Sequence, residues 1–136
     1  MKKTLRVLAL IALIASLIGL SGCEGLFATY TMKVRSYYSS SVYDVKYRES
    51  GTTDWKTADL EDEDGGVVIA VDDGTLWDTE AFFDLPGSGT YDFSVYNVLG
   101  TKIAEVSDVT IDIDLGSISN YDYVLSLDSA GVLEVY

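Results

Sequence analysis

Tyr91-Asp92-Phe93-Ser94-Val95-Tyr96-Asn97-Val98-Leu99-Gly100-Thr101-Lys102-Ile103-Ala104-Glu105-Val106 reads as a β-hairpin. Side chains of an extended chain point to opposite faces with a period of two, so Tyr91, Phe93 and Val95 share one face. Asn97-Val98-Leu99-Gly100 has turn chemistry, and Lys102 to Val106 returns as the second strand. A hairpin with one apolar face needs a second layer to cover it, and the rest of the chain supplies strands of the same kind.

Upstream, Tyr30, Met32 and Val34 alternate with Thr31, Lys33 and Arg35, and Tyr43, Val45 and Tyr47 alternate with Asp44, Lys46 and Arg48. Each is the pattern of a half-buried strand. Glu49-Ser50-Gly51-Thr52 turns the chain, and Trp55 starts or fills a short return strand. The continuous apolar run Val67 to Val71, bounded by Gly66 and Asp72-Asp73-Gly74, predicts a buried strand. Ala81 to Leu85 predicts another, stopped by Pro86-Gly87. Downstream, Val109, Ile111 and Ile113 alternate with Thr110, Asp112 and Asp114 in a further strand. Tyr123, Leu125 and Leu127 precede the turn Asp128-Ser129-Ala130-Gly131, and Val132 to Tyr136 closes the chain. Ten tyrosines and a single proline fit strands throughout, and no stretch after residue 29 keeps a helical period over a dozen residues. The expected fold class is all-β: an antiparallel β-sandwich of about eight or nine strands over residues 29–136.

Two stretches resemble immunoglobulin-like modules, fibronectin type III above all. Val42-Tyr43-Asp44-Val45-Lys46-Tyr47-Arg48-Glu49, followed by Gly51 and Trp55, is similar to that family's third strand and turn. Leu85 and Tyr91, with Pro86 and Gly87 between them, are similar to its tyrosine corner, which implies a hydrogen bond from the Tyr91 hydroxyl to nearby upstream backbone. Residues 89–103 also resemble the hairpin of C-terminal sorting domains in secreted bacterial proteins, which we read as a shared hairpin solution and not as shared sorting. At least two strands follow where fibronectin type III ends, so the expected fold is a variant of the immunoglobulin-like sandwich.

The N-terminus has a different character. Lys2, Lys3 and Arg6 precede 14 weakly polar residues from Val7 to Leu20, the layout of a secretory signal. A membrane-spanning helix needs about 20 such residues. Leu20-Ser21-Gly22-Cys23 then resembles the lipobox of bacterial lipoproteins. The resemblance implies a helical signal peptide over residues 1–22, cleavage between Gly22 and Cys23, and a diacylglycerol thioether on Cys23. More than one acyl chain gives lasting attachment where a single chain does not. Residues 23–28 form a short tether that places the domain near the bilayer. Glu24 follows the cysteine, whereas Asp there tends to retain lipoproteins at the inner membrane. The expected location is therefore a lipid-anchored position in the cell envelope, at the outer membrane where two membranes exist.

Charge and composition bound the partners. Without residues 1–22 the chain keeps six basic and 22 acidic residues, a formal charge of −16. A surface so acidic repels nucleic acid, so none is expected as a partner. Cys23 is the sole cysteine and there is no histidine, which removes disulfides, histidine-based nucleophilic catalysis and most zinc or copper sites. No cofactor is implied. The membrane, through Cys23, is the expected partner, with an envelope protein or polysaccharide beside it.

Two clusters are candidate sites. Asp59, Glu61, Asp62, Glu63 and Asp64 run into Gly65-Gly66, and Asp72-Asp73 follows; calcium takes six to eight oxygens, which makes Asp59, Glu61, Asp62, Asp64, Asp72 and Asp73 candidate ligands. Their spacing is not that of the twelve-residue calcium loop, and a solvated acidic loop guarding a sheet edge explains them equally well. Among the aromatics Tyr37, Tyr38, Trp55, Trp77, Tyr96 and Tyr121, the two tryptophans lie in or near polar turns and are candidates for a platform under sugar rings. The alternative is that these aromatics are core or cross-strand pairs. Paired carboxylates also hydrolyse glycosides, but no spacing singles out a pair and a small sandwich rarely holds the deep cleft required. A non-enzymatic binding or structural role is the expectation, with a carbohydrate- or calcium-binding module as the alternative.

Overall fold

The computed structural model describes residues 30–73, 80–112 and 123–136. The signal segment 1–22, Cys23, the tether, Gly74, Trp77, Ile113, Asp114 and Tyr121 lie outside them. Among the described residues the fold is all-β without a helix. Eight strands follow in order: β1 (Tyr30–Ser36), β2 (Asp44–Glu49), β3 (Lys56–Thr57), β4 (Ala81–Leu85), β5 (Gly89–Tyr96), β6 (Lys102–Ile111), β7 (Tyr123–Leu127) and β8 (Leu133–Val135). They make two four-stranded sheets, β4-β1-β7-β8 and β3-β2-β5-β6.

The alternation read from the sequence builds the core. Met32 and Val34 of β1, Val45 of β2, Phe93 and Val95 of β5, and Leu125 and Leu127 of β7 are fully buried between the sheets. Each such side chain contributes about 1.5–3 kcal/mol by leaving water. Four aromatic rings tie one end of the sandwich together. Phe83 of β4 packs against Tyr47 at 5.8 Å and Phe93 at 6.4 Å, and Tyr91 lies 6.1 Å from Phe93. The Tyr91 hydroxyl donates to the Gly87 carbonyl at 2.7 Å, a bond of the kind that the resemblance to a tyrosine corner implies.

Three turns share one local design. In Asn97 to Thr101, the Asn97 side-chain oxygen accepts the Leu99 and Thr101 amides, both at 3.0 Å, and Gly100 takes a left-handed φ of 73°. The Asp128 carboxylate does the same for Ala130 and Val132, with Gly131 at 84°. The Asp62 carboxylate does it for Asp64 and Gly66, with Gly65 at 79°. A short side-chain acceptor and a residue free to adopt positive φ are what this turn requires.

Four expectations need correction. The sandwich is not purely antiparallel, because β7 pairs with β1 in parallel. β6 runs antiparallel to β5 and ends at the pole where β1 begins, so a strand entering beside β1 from there must run in the same direction. Lys102–Val106 and Val109–Ile111 are one strand, not two. Between them the register skips a residue, pairing Tyr91 with Val109 but Phe93 with Val106, and Asp108 takes a φ of 58°. That is a β-bulge, which bends a strand without ending it.

The apolar run Val67–Val71 is not a buried strand. Val71 is buried, but Val67 and Ile69 are 85% and 76% exposed, and only isolated bridges from Glu61 to Val67 and from Val42 to Val71 hold the segment. It is covered on one side only, so alternate residues face water. Finally, Tyr43 is exposed and precedes β2, and does not share the buried face of Val45.

Candidate functional site

The outer face of the β3-β2-β5-β6 sheet carries the most organised polar cluster. Register places Arg48 opposite Asp92, and Lys46 between Thr57 on one side and Ser94 on the other. Asp92 points away from the core yet is only 4% exposed, and its carboxylate gathers three donors. Arg48 Nε donates at 2.8 Å, the Ser50 hydroxyl at 2.7 Å and the bulged Asp108 amide at 3.0 Å. The hydrogen bond from Ser50, then that from the Asp108 amide, lower the Asp92 pKa below the ordinary carboxylate range; burial opposes them and Arg48 reinforces them. One carboxylate thus fixes the β6 bulge, the turn after β2 and the Arg48 guanidinium together.

Arg48 is held from its other side as well. Its guanidinium carbon lies 4.4 Å from the centre of the Trp55 ring, and Lys46 Nζ lies 4.8 Å from the centre of the Tyr96 ring. Such contacts contribute about 0.5–1 kcal/mol each at exposed sites. Trp55 is half-buried immediately before the edge strand β3, so the aromatic near a polar turn forms one end of this face. Tyr96 and Lys102 face each other at the other end, where Lys102 pairs with Glu105.

The candidate residues of the sequence do not all converge. Trp55 belongs to this face, while its companion Trp77 lies outside the described residues. Asp59, Glu61, Asp62, Asp64 and Asp72 are exposed and Asp73 is half-buried. Asp62 spends its carboxylate on turn amides, a task Asn97 performs without charge. The Asp72 carboxylate accepts from the Ser41 hydroxyl. Glu61 exchanges two main-chain hydrogen bonds with Phe82 at 2.9 and 2.7 Å, which covers part of the free edge of β4. Among the described residues no three acidic side chains are grouped so as to hold a metal ion.

Arg48, Asp92 and Lys46 are members of the site that sequence reading passed over as the solvent side of strands. Their signal was present in the strand register: aligning β2 against β5 sets Arg48 directly opposite Asp92, the one acid of β5, and Lys46 opposite Ser94.

No protein-family model and no curated protein sequence matches the chain. A solved structure described as the NMR structure of the protein from Eubacterium rectale is similar to it at 14% identity and a TM-score of 0.45, over 85% of this chain and 93% of that one.

Proposed function

We propose that this chain is a lipid-anchored cell-envelope protein in which an immunoglobulin-like sandwich serves a non-enzymatic binding or structural role. The observation that carries the anchor is Leu20-Ser21-Gly22-Cys23 at the end of a 14-residue apolar stretch behind Lys2, Lys3 and Arg6. Charge, length and the position of the sole cysteine agree with export, cleavage before Cys23 and lipidation of its thiol. Residues 23–28 then hold the domain close to the envelope membrane, the outer one where there are two.

The immunoglobulin-like assignment is supported by the strand order. The order β3-β2-β5-β6 follows that family's second sheet with an added edge strand, and β4 beside β1 follows the pair at the centre of its first sheet. The Tyr91 to Gly87 bond supports it at the tyrosine corner. The domain departs from that pattern where β7 and β8, from the C-terminal end, occupy the side of β1 that the family gives to its first strand.

The test is metabolic labelling with radioactive palmitate in a bacterium that makes lipoproteins. The wild-type chain takes up label, and Cys23→Ser accumulates unlabelled with its signal segment attached. Equal labelling of the two, or no labelling of the wild type, overturns the anchor.

A second reading is favoured by one observation, the Arg48-Trp55 stack on an open sheet face: a carbohydrate-binding module. Aromatic rings flanked by fixed hydrogen-bond donors suit sugar rings, whose two faces are apolar and whose rims are polar. Quenching or enhancement of tryptophan fluorescence by an envelope polysaccharide, lost in Trp55→Ala, tests it. Unchanged fluorescence with every polysaccharide of the envelope overturns it.

A further inference from the structure

We propose that the outer face of β3, β2 and β5 binds an anionic polysaccharide of the uronic-acid type, with Lys46 and Arg48 taking the carboxylates and Trp55 a sugar ring. The proposal rests on the carbohydrate-binding reading and adds the charge of the ligand.

The charges of the chain are unbalanced. After Cys23 there are six basic residues against 22 acids, so a basic side chain is more easily placed near a carboxylate than away from one. Lys33, Arg35, Arg48 and Lys102 do form ion pairs, with Glu80, Glu80, Asp92 and Glu105. Lys46 and Lys56 form none among the described residues, and of the two only Lys46 lies on the same sheet face as Arg48 and over an aromatic ring. Its cross-strand neighbours are Thr57 and Ser94, both neutral. An exposed cross-strand ion pair contributes up to about 1 kcal/mol, so stability alone favours an acid at position 57.

The two cations are also held in place. Lys46 and Arg48 lie two residues apart on one strand, about 6.5–7 Å, on the same face. Each is laid over an aromatic ring, Lys46 on Tyr96 and Arg48 on Trp55, and Arg48 is further held by the buried Asp92. Cations fixed in this way lose less side-chain freedom when they bind. Cation–π pairing as mere stabilisation accounts for the Trp55-Arg48 stack. It does not account for Lys46, which makes no ion pair among the described residues and stands between two neutral neighbours. A neutral sugar gains nothing from that lysine, whereas a ring carboxylate does; the −16 charge of the domain acts against any polyanion, so the gain is confined to the rings that touch this face.

The test titrates the full-length chain, purified in non-ionic detergent, with oligogalacturonate, oligoalginate and hyaluronan oligomers, and with neutral galactan oligomers of equal length. Isothermal calorimetry and tryptophan fluorescence read binding. At least one acidic oligomer is expected to bind, the neutral ones not, and affinity is expected to fall as salt rises. Lys46→Met weakens binding about tenfold and Lys46→Arg retains it; the lost contact with Tyr96 lowers the melting temperature of Lys46→Met by no more than about 6 °C, and Lys46→Arg melts as the wild type does. Equal binding of neutral and acidic oligomers overturns the charge preference and leaves the carbohydrate-binding reading standing. Binding of acidic oligomers that Lys46→Met does not weaken overturns the assignment to this face. Binding of none of the acidic oligomers overturns the proposal, and failure of the neutral ones as well removes the carbohydrate-binding reading with it.

Discussion

The two sheets of this sandwich repeat one pattern on their outer faces and resolve it differently. On β1, Lys33 and Arg35 stand two residues apart; on β2, Lys46 and Arg48 do the same. The single carboxylate of Glu80 takes both β1 cations, and Lys33 also lies over the Phe82 ring. Burial pushes the Glu80 pKa up, but hydrogen bonds from Lys33 and Arg35 outweigh it and leave the carboxyl below its ordinary range. On β2 the carboxylate of Asp92 takes Arg48 alone and leaves Lys46 over an aromatic ring. Among the described residues, one face is closed by its own acid and the other keeps a cation without an ion pair. Both lysines have neutral residues across from them, Phe82 and Val124 for Lys33 and Ser94 and Thr57 for Lys46; what separates the faces is that Glu80, just before β4, reaches its lysine as well as its arginine, whereas Asp92 reaches only Arg48.

The largest effect belongs to Asp92. Asp92→Ala leaves Arg48, the Ser50 hydroxyl and the Asp108 amide without their acceptor in a nearly closed site. It is expected to cost about 2–4 kcal/mol in urea denaturation, the lower end reflecting the partial exposure of Arg48. Glu80→Ala costs about 0.5–1.5 kcal/mol, because Glu80 itself stays closer to water than Asp92 does. The reverse order would make the β1 face, and not the β2 face, the structural anchor of its sheet. The pH dependence follows with the same sign for both acids. Each has a folded pKa below its unfolded value of about 4, so its contribution is complete above that value and is lost as pH falls through the folded pKa. Asp92→Asn should flatten the acid limb of stability more than Glu80→Gln does.

Local chemistry made much of this fold legible, and distant partners made the rest illegible. The hairpin turns at Asn97 and Asp128, strand β4, the inward faces of β1 and β7, and the Tyr91 corner bond each depend on residues within a few positions of one another. The β6 bulge depends on Asp92, sixteen residues away, and so Ser107-Asp108 reads in sequence as a break between strands. The parallel pairing of β1 with β7 joins residues some ninety positions apart and leaves no mark on either strand. Val67 to Val71 misleads because a one-sided covering lets apolar residues point outward, which hydrophobicity alone does not distinguish from a strand buried on both sides. At the candidate site, Trp55 was visible as an aromatic beside a turn. Arg48 and Lys46 were not, because their meaning lies in what stands opposite them on β3 and β5.

Glu80→Gln probes the closed face by opening it. The substitution keeps the size of the side chain and removes the charge that Lys33 and Arg35 share. If two unpaired cations, one of them over an aromatic ring, are enough to hold an acidic oligosaccharide, this variant gains a second, weak site by calorimetry. If the β2 face owes its binding to the fixed geometry of Arg48, Trp55 and Asp92, the variant gains none. The latter is expected, because nothing on β1 holds Arg35 as Asp92 holds Arg48 once Glu80 is neutral.

Thr57→Glu is the converse, and the gentlest change of all. Thr57 is exposed on the two-residue edge strand β3, directly opposite Lys46, so a glutamate there reaches the lysine without displacing any core residue. Stability should change by no more than about 0.5 kcal/mol, and in the favourable direction at low salt. Binding of acidic oligosaccharides, in contrast, should fall at least about tenfold, because the added acid both neutralises Lys46 and repels the ligand. A variant that is more stable and binds less would show that the β2 face gives up a stabilising ion pair to keep its lysine available. Unchanged binding with improved stability would mean that Lys46 stands without an ion pair among the described residues for no functional reason, and the two faces would then differ only in whether their acid happens to reach the lysine.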